Sequence, residues 1–269
     1  MRRLLSYAHY QLVAFALAGV ALWVLTSVNG PGPSFSRDVF ETAIALDPSY
    51  ATGQRVVGEA LARDGRQQEA LDHLRAAFLA DPHDGASCLA LGKQAAKQPQ
   101  LLGEARTALE CAVKFAPVSA EAWEALSGVA LAQQDFTGCI TASRKALELD
   151  PTRNALRLNL GTALARSGDP AGAEKVFFEG ARRAPDDALM AFNLGLALKK
   201  RSAFDEAATW LTRAATLDPK QSRTWFQLAT TQAARGHFDE ARAAADQLLK
   251  LEPNNPDALS LRKDLEDAR

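Results

Sequence analysis

NALRLNLGTALARSGDPAGAEKVFFEGARRAPDD (residues 154–187) runs directly into ALMAFNLGLALKKRSAFDEAATWLTRAATLDPKQ (residues 188–221), and the two segments are variants of one pattern. Laid over each other, they align Leu160 with Leu194, Gly161 with Gly195, Ala173 with Ala207, Phe177 with Leu211 and Pro185 with Pro219, at a constant offset of 34 residues. Within each half, apolar residues recur every three and four positions, as in a helix with one buried stripe. Gly161 and Gly195 fall mid-helix, where glycine costs about 1 kcal/mol relative to alanine, so a packing gain must offset them. The spacing predicts that each lets the first helix lie close against a small residue of the second, Ala173 or Ala207. Pro185 and Pro219 lack the amide hydrogen that a helix interior needs, so each ends a unit and turns the chain into the next.

The same register extends both ways. Residues 51–84 carry Gly58, Ala70, Ala77 and Pro82, and residues 85–119 carry Leu91, Gly92, Ala105, Ala112 and Pro117, with one extra residue placed in KQPQLLG (97–103). Residues 120–153 carry Trp123, Leu126, Ala146 and Pro151, with Ser127 and Cys139 replacing the usual glycine and alanine. Residues 222–255 carry Trp225, Leu228, Ala241 and Pro253, with Ala229 replacing the glycine. A period of 34 with these small, aromatic and proline positions resembles the tetratricopeptide-repeat family. The resemblance implies an all-α fold, a right-handed superhelical solenoid of paired helices, with six repeats over residues 51–255. Residues 30–50 read as a linker (GPGPS, a chain breaker) and a half-repeat cap carrying Phe40, Ala43 and Pro48. Residues 256–269 read as a closing helix with a charged outer side, as the end of a solenoid needs.

Residues 1–29 differ from the rest. Arg2 and Arg3 precede an apolar run from Leu12 to Val28, broken only by Thr26 and Ser27. The run is at the short end of what crosses a bilayer, and Tyr10 and Trp23 suit its two interfaces. It is long for the apolar region of a signal peptide, and no Ala-x-Ala site precedes Pro31 and Pro33, so it reads as an uncleaved single transmembrane helix over residues 12–28. Ala14, Ala18 and Ala21 offer it a small-residue face. Arg37 stands alone among Asp38, Glu41 and Asp47 on the far flank, so the positive-inside rule keeps the N-terminus cytoplasmic and sends the repeats across the membrane, into the periplasm of a bacterium.

The 31 basic and 32 acidic residues leave a net charge of −1 and no electrostatic reason to expect a nucleic-acid partner. Cys88, Cys111 and Cys139 are too few and too odd in number for a disulfide framework and read as small buried apolar groups. His9, His73, His83 and His237 show no metal-ligand spacing, and no phosphate loop or nucleophile elbow is present. Asp186 and Asp187 sit in an inter-repeat turn, where capping the next helix is the expected role. The reading is therefore a chain that is not an enzyme, with no catalytic residue, metal, cofactor or small-molecule substrate.

What remains is surface. In the family that this chain resembles, the second, fifth, sixth, ninth and twelfth positions of each first helix line a concave face. The fifth gives Leu158, Phe192 and Phe226, flanked by Leu189 and Leu196, and the sixth gives Asn159, Asn193 and Gln227. Spaced amides can pair with an extended peptide backbone while the apolar groups take its side chains. The alternative is that the amides bond neighbouring backbone and the next repeat partly buries the rings. Trp123 and Trp225 fall at the core-packing fourth position and read as structural. Co-chaperones of the family clamp a terminal carboxylate with five polar residues. Here those positions hold Leu158, Thr162, Asn193, Arg223 and Gln227, of which two fit, so a mainly apolar peptide or helix is the expected ligand. The resemblance implies a membrane-anchored scaffold or assembly factor for an envelope multiprotein complex. The alternatives are a permanent accessory subunit of a membrane enzyme complex and an organelle-surface import receptor.

Overall fold

The computed structural model describes the backbone of residues 33–267 and the side chains of residues 40–266. The expected membrane span over residues 12–28 lies outside the described residues; among those described, no helix is long and apolar enough to cross a membrane. The described residues form fourteen α-helices and no strand. In chain order these are α1 (Pro33–Leu46), α2 (Ala51–Arg63), α3 (Gln67–Ala80), α4 (Gly85–Ala95), α5 (Leu102–Phe115), α6 (Ala120–Ala132), α7 (Phe136–Leu149), α8 (Asn154–Ser167), α9 (Pro170–Arg183), α10 (Ala188–Lys200), α11 (Phe204–Leu217), α12 (Ser222–Ala234), α13 (Phe238–Leu251) and α14 (Pro256–Asp267). The breaker expected over Gly30 to Ser34 ends earlier than its sequence implies: α1 already starts at Pro33, and a first-turn proline forfeits only an N–H that has no helical partner.

The helices fall into two compact units, divided between Val118 and Ser119. In the first, α2 packs on α1 and α3, and α4 on α3 and α5. Phe40 and Ile44 of α1 cover Val57, Leu61 and Ala70. The extra residue of the second repeat is taken up by a 3-10 turn, Pro99–Leu101, between α4 and α5. In the second unit, each helix packs on its neighbours in sequence, and α6, α8, α10, α12 and α14 also touch in succession, so the first helices make one layer and the second helices another. First helices stop where one residue takes a left-handed conformation, Gly168 at φ +95° after α8 and Ser202 at φ +63° after α10. Side chains cap some of the helix starts: Asp187 accepts from the Met190 amide, and Asp135 and Asp169 accept from Gly138 and Gly172.

The mid-helix glycines do make a close approach, but to a different neighbour from the one expected. A methyl group on Gly195 would meet Leu211 at 2.7 Å and the Ala207 carbonyl oxygen at 3.4 Å, and one on Gly161 would meet the Phe177 ring. The space each glycine leaves is filled by the large residue one turn beyond the small one, because a helical side chain reaches back toward the N-terminus of its helix.

The cysteine expectation needs a larger correction. Cys88 and Cys111 form a disulfide between α4 and α5, with Cα atoms 5.8 Å apart; Cys139 alone is free, and it is buried. The reason lies in the repeat geometry. The fourth position of a first helix faces one position of the second helix beside the preceding proline. In residues 154–187 that pair is Arg157 and Glu179, joined by an ion pair at 3.2 Å. In residues 188–221 it is Ala191 and Arg213, where Arg213 instead donates to the Pro185 carbonyl at 2.9 Å. Cys88 and Cys111 occupy the same two places. Where the fourth residue is a donor it bonds the carbonyl of the proline six residues back: Gln54 to Pro48, Arg157 to Pro151 and Trp225 to Pro219.

Candidate protein-binding face

The residues expected to line a groove all lie in the second unit, on α8, α10 and α12, three adjacent helices of the first-helix layer. Leu189, at the start of α10, is 46% exposed. Leu158, Leu196 and Phe226 are half-buried; Leu158 leans on the core around Leu160, Phe177 and Leu194, and Leu196 on the core around Leu211 and Leu228. Together they give the layer an apolar strip that water still reaches.

Phe192 departs from the expectation. Its ring is only 2% exposed, packed into the core with Ala214, Ala215, Leu228 and Ala229, so it offers no contact surface to a ligand. The physical reason is that α12 lies against α10 and closes over the ring. Arg223 of α12, which is exposed, places its guanidinium carbon 5.2 Å from the Phe192 ring centroid.

The amides are also partly engaged. Asn159 donates to Ser127 Oγ of the preceding repeat at 3.4 Å, Asn193 donates to the Leu189 carbonyl of its own helix at 2.8 Å, and Gln227 Oε1 accepts from Lys199 Nζ at 2.9 Å. Each of these side chains remains half-buried, with hydrogen-bonding capacity beyond the single bond named.

Lys199 and Thr230 were not singled out by the sequence reading. Lys199 is in the last turn of α10, at the twelfth position, and its ammonium also donates to Thr230 Oγ1 of α12 at 2.6 Å. Burial pushes the Lys199 amine below the usual lysine range. The signal was available: the position is one the resemblance names, and α8, α10 and α12 contain no aspartate or glutamate.

Among the described residues, no group of three or more His, Cys, Asp and Glu side chains is placed to hold a metal ion. Ser127, Cys139 and Ser143 form a buried cluster, with the two serine hydroxyls 2.7 Å apart, enclosed among α6, α7 and α8.

Family profiles for the tetratricopeptide repeat match residues 36–84 and 158–222 and residues 198–265. Cellulose synthase operon protein C of Pseudomonas fluorescens (strain SBW25) is 30% identical over 164 residues, which is 58% of this chain; the chain spans only 13% of that protein. Among solved structures, PilF of Pseudomonas aeruginosa superposes with a TM-score of 0.64 at 18% identity, over 87% of this chain and 100% of that one. MamA superposes at 0.59 and 21% identity over 64% of this chain and 94% of that one. YrrB, described as a protein of this repeat class with an unusual peptide-binding site, superposes at 0.52 and 17% identity over 84% and 99%. At these identities the superpositions speak for the fold. Repeats of this kind are generally protein-interaction scaffolds. With profiles matching more than half of its residues and paired helices throughout the described part, the chain belongs to the tetratricopeptide-repeat family.

Proposed function

We propose that this chain is a membrane-anchored scaffold or assembly factor for an envelope multiprotein complex, tethered through residues 12–28, and that the layer formed by α8, α10 and α12 holds a peptide or helix of its partner. The observation that carries the docking face is the water-accessible apolar strip of Leu158, Leu189, Leu196 and Phe226 on three adjacent first helices. Apolar side chains lined up on one layer of a repeat protein are a surface for a partner rather than a packing remnant. The right-handed solenoid, with this layer as its inner curve, is part of the same reading. The disulfide between Cys88 and Cys111 supports delivery of the repeats to an oxidising compartment such as the periplasm, because cytosolic thiols are kept reduced. It weighs against a receptor that faces the cytosol. The cellulose synthase operon named for one similar protein fits envelope assembly.

The test is site-directed photo-crosslinking in native membranes. A photoreactive residue in place of Leu189 should give a discrete adduct, and one in place of Phe178, which is 53% exposed on the second-helix layer, should not. Equal labelling from both layers would overturn the docking face. A reporter fused after Arg269 that is active only in the cytoplasm would overturn the topology.

A further inference from the structure

We infer that the face formed by α8, α10 and α12 is selective for acidic guests, and that its occupant is a partner segment carrying two carboxylates about 10 Å apart among apolar residues. The inference rests on the reading of this layer as a docking face and adds the chemistry of what docks.

Charge is segregated here in a way that the net charge of −1 conceals. α8, α10 and α12 together contain Arg157, Arg166, Lys199, Lys200 and Arg223 and no acidic residue. The acids of these repeats lie on the second helices, among them Glu174 and Glu179 on α9, Asp205 and Glu206 on α11, and Asp239 and Glu240 on α13, or in the turns, as Asp187 does at the start of α10. Arg157 is withdrawn from the surface, 4% exposed and paired with Glu179. Lys199 is different. Its ammonium is half-buried between α10 and α12, and the oxygens that hold it, Gln227 Oε1 and Thr230 Oγ1, are both neutral. A cation withdrawn from water without a counter-charge is destabilised, and an incoming carboxylate relieves that. The lowered pKa of the amine agrees, since burial is its cause and no anion opposes it.

Arg223 supplies the second cation, fixed over the Phe192 ring at the other end of the strip. Phe192 and Lys199 are seven residues apart on α10, and Arg223 and Thr230 are seven apart on α12. Seven helical residues are two turns, about 10 Å along the axis, which leaves the two positive groups on one face. Leu196 and Phe226 lie on the same two helices as these cations. A polyproline II segment spans this distance with acids three residues apart, and a helix with acids about seven apart.

The experiment uses the purified full chain in mild detergent and short fluorescein-labelled, C-terminally amidated peptides of leucine, alanine and serine. Each peptide carries two glutamates, three or seven residues apart, and has a glutamine twin and a second twin with a free C-terminus. Fluorescence anisotropy should show at least one glutamate peptide binding about tenfold tighter than its twin, an advantage that salt weakens. In Lys199→Gln/Arg223→Gln the advantage should fall to within about twofold. Arg223→Gln, at an exposed side chain, gives the intermediate value without removing a buried one, and circular dichroism checks that both variants fold. Glutamine twins that bind equally well overturn the inference and leave apolar docking in place. So does a clear preference for a free C-terminus over the amide, which would mean capture of a terminal carboxylate. If no peptide binds while the Leu189 cross-link still forms, the acidic preference falls and the docking face stands. If both are absent, both readings fall.

Discussion

A methyl group on Gly161 would stand 2.4 Å from Cε1 of Phe177, closer than any real carbon contact. The same two positions pair in the other repeats, and the pairs complement each other in size. Gly58 faces Leu74, Gly92 faces Leu109 and Gly195 faces Leu211, each with less than 3 Å to spare for an added carbon. In the third repeat the two positions hold Ser127 and Ser143, whose hydroxyls bond at 2.7 Å. In the sixth they hold Ala229 and Ala245, buried in one core. The space between two facing positions is filled in more than one way, by a large side chain against none or by two small ones, and adding a carbon to one side is tolerated only where the other is small.

Gly161→Ala should therefore destabilise the chain by about 1–3 kcal/mol through overpacking, and Phe177→Ala by about 3–5 kcal/mol through a cavity. The double variant reproduces the alanine pair of the sixth repeat and should cost about 1–2 kcal/mol less than the sum of the two. Urea denaturation of the four proteins reads this directly. Strict additivity would mean that the two residues do not share the space.

These pairs mark how far the sequence could be read. The period, the helix pairs and the terminating prolines were legible because each depends on residue type alone: glycine, alanine and proline in register. The partner of each glycine was not, because identifying it requires the direction of a side chain along its helix as well as its spacing. The disulfide was missed by counting cysteines, although aligning Cys88 and Cys111 with Arg157 and Glu179 would have placed them face to face. Gln54, Arg157 and Trp225 all bond the preceding proline carbonyl, and that shared task is invisible in residues of such different types. At the candidate site, exposure of Leu189 and burial of Phe192 separate two residues three apart on one helix, a distinction set by how closely α12 approaches α10.

Reduction should matter to the first unit. The bridge between Cys88 and Cys111 closes a loop with a sequence separation of 23, and a loop of that size constrains the unfolded chain by about 3 kcal/mol. Cys88→Ala/Cys111→Ala, or the native chain in reductant, should melt earlier, and the doubly substituted chain should no longer respond to reductant. Intact mass spectrometry under alkylating conditions checks that only Cys139 is modified once the oxidised protein is unfolded.

The ion pair between Arg75 of α3 and Glu104 of α5 gives stability a sign with pH. Arg75 donates Nε and an Nη to the two carboxylate oxygens at 2.7 and 2.8 Å, and these bonds hold the Glu104 carboxyl below the usual glutamate range. A carboxylate with a depressed folded pKa contributes stability that is fully present above its unfolded value of about 4.3 and is lost as pH falls through the folded value. Both side chains are about one-third exposed, so solvent screening leaves a contribution of about 0.5–1 kcal/mol. Glu104→Gln should be less stable than the native chain by that amount at about pH 7 and equal to it at about pH 3. A gap that persists in acid would assign the loss to packing instead.

The sharpest contrast is between Phe192 and Leu189. Phe192 fills the core between α10 and α12, so Phe192→Ala should cost about 3–5 kcal/mol and lower the melting temperature. It should weaken partner capture only as far as it unfolds the unit. Leu189→Ser removes an exposed side chain from the first turn of α10 and should change stability by no more than about 0.5 kcal/mol. It should nevertheless reduce the adduct formed from a photoreactive residue at Phe226, because Leu189 and Phe226 lie on adjacent helices of the same layer. Thermal melts and cross-linking on the same preparations separate the two effects. If Leu189→Ser leaves the adduct unchanged, the partner does not lie along this strip; if Phe192→Ala leaves the melting temperature unchanged, α12 does not close over α10.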